Sequence, residues 1–160
     1  WITEFPFFEW DEESQTWLAM HHPFTMPLDD CIQYLDTAPE KVIAKAFDLV
    51  LNGTELSSGS IRITDYELQQ KMFQSLGLTD EEIEAKFGFL VEAYKYGAPP
   101  HGGLGIGLDR LVMVMLQAES LRDVTAFPKV QNASELMSEC PSFVDKPNLD
   151  VLGIGLLENE

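Results

Sequence analysis

Apolar and polar residues alternate in some stretches of this chain and recur at helical spacing in others. Trp1 to Trp10 is aromatic-rich and broken by Pro6, which predicts an extended edge segment. Asp11 to Ser14 is a polar turn and Thr16 to Met20 a second short strand, so the two should form a hairpin. His21-His22-Pro23-Phe24-Thr25-Met26-Pro27 reads as a loop stiffened by two prolines. Asp29 to Leu35 reads as a short helix. Lys41 to Leu51 is β-rich, Asn52-Gly53 is a strong hairpin signal, and Thr54 to Thr64 returns as the partner strand. Tyr66 to Leu76 carries Leu68, Met72, Phe73 and Leu76 at helical spacing, and Gly77 ends it. Thr79 and Glu82 have the spacing of a capping box. They open a second helix to about Tyr96, with Ile83, Phe87, Leu90, Val91 and Tyr94 as its buried stripe.

The pattern then changes. Gly103, Gly105 and Gly107 alternate with Leu104, Ile106 and Leu108. Successive strand residues point to opposite faces, so one face is apolar and fit for burial while the other is bare. Glycines weaken a strand, and a bare face is useful where a flat ligand must lie on the backbone. Arg110 follows, placed to reach across that face. Leu111 to Leu116 is apolar all round and predicts a deeply buried helix. Leu121 to Phe127 is a connector, and the tail from Pro128 to Glu160 has weak periodicity. Hairpins mixed with helices give an α+β class in a single domain.

Composition adjusts this picture. The chain has 160 residues, enough for a real core, and starts at Trp1, so a longer parent protein is expected. No apolar run approaches a membrane span and no signal peptide is visible. Cys31 and Cys140 lack metal-ligand spacing and read as free buried thiols of a reducing cytoplasm. A net charge of −17 taken alone argues against a nucleic-acid partner. The arginines are Arg62, Arg110 and Arg122.

Around Asn52-Gly53, a two-residue turn sets Val50 opposite Glu55 and Asp48 opposite Ser57. Asp48 and Glu55 then share a face as diagonal neighbours, roughly 7–8 Å apart at the backbone. They are either solvated acids or a site for Mg²⁺, which takes one or two carboxylates with phosphate oxygens. Strict alternation would send Arg62 to the opposite face. One extra residue within Ser57 to Ser60, a β-bulge, would return it to Glu55's side. There Arg62 is either a surface ion-pair partner or a bidentate grip for a ligand carboxylate. His21 and His22 are loop histidines or contacts to such a carboxylate, and His101 stands just before the glycine strand. No P-loop, Rossmann fingerprint, serine elbow or zinc signature is present.

Gly103-Leu104-Gly105-Ile106-Gly107-Leu108-Asp109-Arg110 resembles the third signature motif of class II aminoacyl-tRNA synthetases. Ala19 to Thr25, Ala46 to Leu56, Gly59 to Ile63, Phe87 to Leu90, Tyr96 to Gly103 and Arg122 to Lys129 resemble the bacterial-type aspartyl-tRNA synthetase family. The resemblance implies an antiparallel sheet flanked by helices. Residues 1–160 would be the C-terminal portion of the catalytic domain, with the third motif at about 102–116. The anticodon-binding OB domain and the first two motifs would lie upstream. It implies ATP-dependent activation of L-aspartate, transfer to tRNA(Asp), a homodimer for the full-length enzyme, Mg²⁺, and a cytoplasmic setting. Arg62 would hold the side-chain carboxylate and His21 would contact aspartate. Glu55 would bind ATP through Mg²⁺ with Asp48 as second acid. Gly107, Leu108, Asp109 and Arg110 would hold the nucleotide, with Arg110 also catalytic. The upstream OB domain would supply much of the tRNA contact, which reconciles the acidic charge. Without the second-motif arginine the fragment is expected to be inactive alone. Asparaginyl and lysyl enzymes, an amide-forming paralogue and a non-catalytic binding module are the alternatives. Arg62 would repel a lysine side chain.

Overall fold

A computed structural model describes residues 1–155. The chain divides into two units, Trp1–Leu111 and the part from Val112 onward. The first is built on a four-stranded antiparallel sheet of β1 (Ile2–Thr3), β4 (Ala46–Leu51), β5 (Thr54–Ile61) and β6 (Gly102–Ile106), in that spatial order. A separate hairpin joins β2 (Phe8–Asp11) and β3 (Thr16–Ala19), as the sequence predicts.

Asn52 and Gly53 have φ of 51° and 77°, the two positive values that a tight hairpin turn with the twist of its strands needs. Leu51 faces Thr54 and Val50 faces Glu55, but Leu49 faces Ser57, so Leu56 is the extra residue of a β-bulge. The expected bulge therefore exists one residue before Ser57–Ser60, and Asp48 faces Ser58, not Ser57. Leu56 is buried, which gives the extra residue a reason to sit there. The predicted strand from Lys41 starts only at Ala46. Lys41 closes a 3-10 turn, and Ile43 and Ala44 make single bridges to Pro6 and Pro27. Asp29–Leu35 is reduced to a 3-10 turn over Ile32–Tyr34.

Helices α1 (Tyr66–Ser75) and α2 (Asp80–Lys95) follow. Asp65 caps α1 by accepting from Leu68 N–H. The Thr79/Glu82 capping box forms in full. Phe73 stacks on Phe87 with centroids 4.6 Å apart, and Phe24 meets both rings edge-on. This cluster joins the two helices to the loop that carries the histidines. A second cluster includes Phe7, Phe8, Leu35, Val42, Ile63 and Met72.

α3 (Leu108–Leu116) starts three residues before the predicted Leu111, at a position read as the end of the glycine strand; none of its residues is buried, and Met115 is 74% exposed. An apolar helix needs a facing surface, and no described residue buries this one. The apolar face of β6 is likewise open, with Leu104 and Ile106 exposed. The tail contains α4 (Lys146–Leu152), which weak periodicity hid. Both cysteines are free, but only Cys31 is buried; Cys140 is exposed on the tail. No helix of the described residues is long and apolar enough to cross a membrane.

Candidate active site

Residues opposite one another in an antiparallel ladder share a face. Ala46 faces Ser60 and Ser60 faces Gly103; Asp48 faces Ser58 and Ser58 faces Gly105. The bulge puts Glu55 and Arg62 on this same side. Gly103 and Gly105 are the bare positions, and a Cβ built on either would meet no atom within 4 Å. Gly59 looks the other way. A Cβ there would lie 2.5 Å from Gly103 O and 2.6 Å from the Phe47 ring. One face of the sheet is thus open to a ligand while the other is closed at Gly59 by packing.

Above the open face lies a cavity of about 570 Å³. Its walls are His21 and His22 from the loop, Ser58, Ser60 and Arg62 from β5 and its extension, and Gly103 to Gly105 below. The loop is tied to the extension of β5. Thr25 pairs with Arg62, Ile63 N–H donates to Phe24 O at 3.0 Å, and Met26 N–H donates to Ile61 O at 2.8 Å.

Arg62 Nη1 bears on both ring nitrogens of His22, most closely on Nε2, with Nδ1 at 3.0 Å. Phe24 N–H also donates to Nδ1, at 3.2 Å. Arginine has no acceptor, so its contact with His22 requires an unprotonated ring nitrogen. Burial, then the Arg62 charge, then His21 hold the His22 pKa below the usual histidine value of 6.5. His22 is the site residue that sequence reasoning left unassigned. His21, the one assigned, lines the same cavity and meets Phe5 edge-on.

The other predicted residues form a second group at the hairpin end of the sheet, outside the cavity wall. Arg110 does not reach across the bare face. Its Nη1 donates to Glu55 O at 2.8 Å and stands 3.6 Å from the Glu55 carboxylate. Gly107 N–H donates to Leu56 O at 2.8 Å, which fastens the start of α3 to the bulge. Leu108 and Asp109 are exposed in the first turn of α3. Asp48 Oδ1 is buried and meets no donor among the described residues.

The family model for class II tRNA synthetases (D, K and N) matches residues 1–131. The chain belongs to that family. An aspartate–tRNA ligase of Ruminiclostridium cellulolyticum is 61% identical over 156 residues, covering 98% of this chain and 26% of that protein. One from Clostridium tetani is 57% identical over 154 residues, 96% of this chain and 26% of its own length. This class II synthetase chain therefore spans about a quarter of the curated relatives it matches. Among solved structures, an aspartyl-tRNA synthetase of Entamoeba histolytica superposes with a TM-score of 0.57 at 29% identity, covering 72% of this chain and 21% of the other. An asparaginyl-tRNA synthetase of the same organism, in complex with asparaginyl-adenylate, gives 0.58 at 26% identity, covering 72% and 24%. The antiparallel sheet with flanking helices is accordingly part of a class II synthetase fold.

Proposed function

We propose that the protein carrying this chain is an aspartate–tRNA ligase. The observation that carries the reading is Arg62, held in a cavity floored by Gly103 and Gly105, with no carboxylate at ion-pair distance among the described residues. A donor-only fork awaiting an anion fits the side-chain carboxylate of L-aspartate. Holding that group leaves the α-carboxylate free. One of its oxygens bonds to the α-phosphorus of ATP, the bond to the β-phosphate oxygen breaks, and pyrophosphate departs. A hydroxyl of the terminal ribose of tRNA(Asp) then attacks the acyl carbon, the bond to the phosphate oxygen breaks, and AMP leaves.

In this reading His21 contacts aspartate, and Gly107, Leu108, Asp109 and Arg110 hold the nucleotide. Arg110 supplies positive charge to the phosphates. Mg²⁺ fits the two acids that share the open face. Asp48 offers an oxygen with no donor among the described residues, and Glu55 offers a half-exposed carboxylate. When bound, the ion would neutralise phosphate charge. The homodimer, the cytoplasmic setting of translation and the upstream OB domain and motifs belong to the same proposal.

An asparagine-specific enzyme is the second reading, favoured by the likeness to the asparaginyl-tRNA synthetase structure. Arg62 disfavours it. A carboxamide offers the guanidinium one acceptor oxygen and an NH₂ group that it cannot accept from. The test is charging of purified tRNA(Asp) and tRNA(Asn) by the full-length protein with labelled aspartate or asparagine. Acid-stable, base-labile aspartyl-tRNA is the expected product; charging with asparagine alone would overturn the assignment.

A further inference from the structure

Gln69 is a fully buried polar residue on α1, beside Met72 and Phe73, on the face that packs into the core. Its Nε2 donates to Pro23 O at 2.8 Å, and no described residue donates to its Oε1. A buried amide with half its capacity unused stabilises less than an apolar side chain of the same shape. The bond it makes lands in the histidine loop.

That loop is fixed on both flanks by backbone bonds. Met20 N–H donates to Phe7 O before it, and Phe24 to Met26 are laced to the β5 extension after it. Between them stand His21, His22 and Pro23. Pro23 has no N–H to give, so its carbonyl is the handle by which α1 holds this stretch. His22, one residue away, bears directly on Arg62.

We propose that Gln69 is a positioning residue for the carboxylate subsite. It pins the Pro23 carbonyl, which sets the His22 ring, which in turn holds Arg62 aimed into the cavity. Gln69 touches no substrate. The inference rests on the reading of Arg62 as the aspartate grip.

The test uses the full-length protein and aspartate-dependent pyrophosphate exchange, with KM for aspartate and for ATP measured separately. Gln69→Met keeps the volume and removes the amide. Met72→Leu, a neighbouring core change, is the packing control, and Arg62→Leu reports on the subsite itself. Gln69→Met should fold with an unchanged or higher melting temperature, and raise the aspartate KM roughly three- to tenfold. ATP KM and kcat should stay within about twofold, and Met72→Leu should move neither KM. An unchanged aspartate KM in folded Gln69→Met, while Arg62→Leu raises it, would overturn the positioning role alone. An unchanged aspartate KM in Arg62→Leu would overturn the underlying reading of the grip. Equal losses for both substrates in Gln69→Met and Met72→Leu would reduce Gln69 to ordinary packing. Should Gln69→Met not fold, Gln69→Asn leaves the amide one methylene short of the carbonyl, and the same split in KM decides.

Discussion

Arg62 Nη1 bears on the ring nitrogens of His22, most closely Nε2, and among the described residues no carboxylate comes within ion-pair distance of it. In a chain with 27 acidic residues and a net charge of −17, a half-buried arginine that ion-pairs with none of the described acids is a specific arrangement. The neutral imidazole occupies the guanidinium without neutralising it. The charge is left for a ligand.

Replacing that charge should therefore separate the two substrates. Arg62→Leu in the full-length protein is expected to weaken aspartate by about 2–5 kcal/mol, since a buried carboxylate loses its charged partner. ATP should change little. Steady-state KM values for each substrate in pyrophosphate exchange check this, and equal losses for both would count against the role.

The same pair makes a titration prediction. Burial and the Arg62 charge both disfavour imidazolium at His22, so its pKa lies below 6.5. The unfolded chain binds this proton first as pH falls, so the folded state loses stability below about pH 6.5, down to the depressed native pKa. Removing the Arg62 charge in Arg62→Leu should raise the His22 pKa part of the way back, burial keeping the rest. NMR titration of the His22 ring measures both values. A value at or above 6.5 in the wild type, or no rise in the variant, would contradict the arrangement.

The two faces of the sheet predict opposite responses to added side chains. Gly105→Leu places a side chain on open space, so folding should survive with little change in melting temperature. Ligand binding should collapse, because the new side chain occupies the cavity floor. Gly59→Ala drives a Cβ into Gly103 O and the Phe47 ring, and should destabilise by about 1–3 kcal/mol. Thermal melts with aspartate and ATP titrations distinguish the cases. A destabilised Gly105→Leu with binding intact would reverse the assignment of faces.

At the hairpin end, Asp48→Asn should weaken Mg²⁺-ATP more than aspartate. Raising the Mg²⁺ concentration should partly restore exchange, because in the proposed function the lost carboxylate would be a ligand to that ion. Loss of activity that Mg²⁺ leaves untouched would point to a structural role for Asp48.

The features legible in the sequence are those written in local chemistry. Asn52-Gly53 demands its positive φ pair, Thr79 and Glu82 demand their reciprocal cap, and alternating glycines demand a bare strand face. The bulge was readable because strict alternation from Glu55 would turn Ile61 and Ile63 onto the face of the acids; Ile63 is indeed buried, while Ile61 stays exposed. The bulge's seat at Leu56 was not, since that depended on what the core accepts. α4 was hidden by the weak periodicity of the tail; Pro147 stands in its first turn, where it is tolerated, and Gly153 closes the other end at φ 66°. The exposure of α3 was not legible, because composition announces a need for burial and leaves the partner unnamed. His22 against Arg62 joins positions 40 residues apart through a loop laid on a strand extension, a contact no local pattern carries.

The central claim is that the cavity over Gly103 and Gly105 selects an acidic amino acid for activation by ATP. Pyrophosphate exchange by the full-length protein, run in parallel with aspartate, asparagine and lysine, tests it most directly. Exchange should depend on aspartate, with asparagine and lysine at background, and the 160-residue chain alone should give none. Exchange driven by asparagine or lysine in preference to aspartate, or robust exchange by the isolated chain, would contradict it.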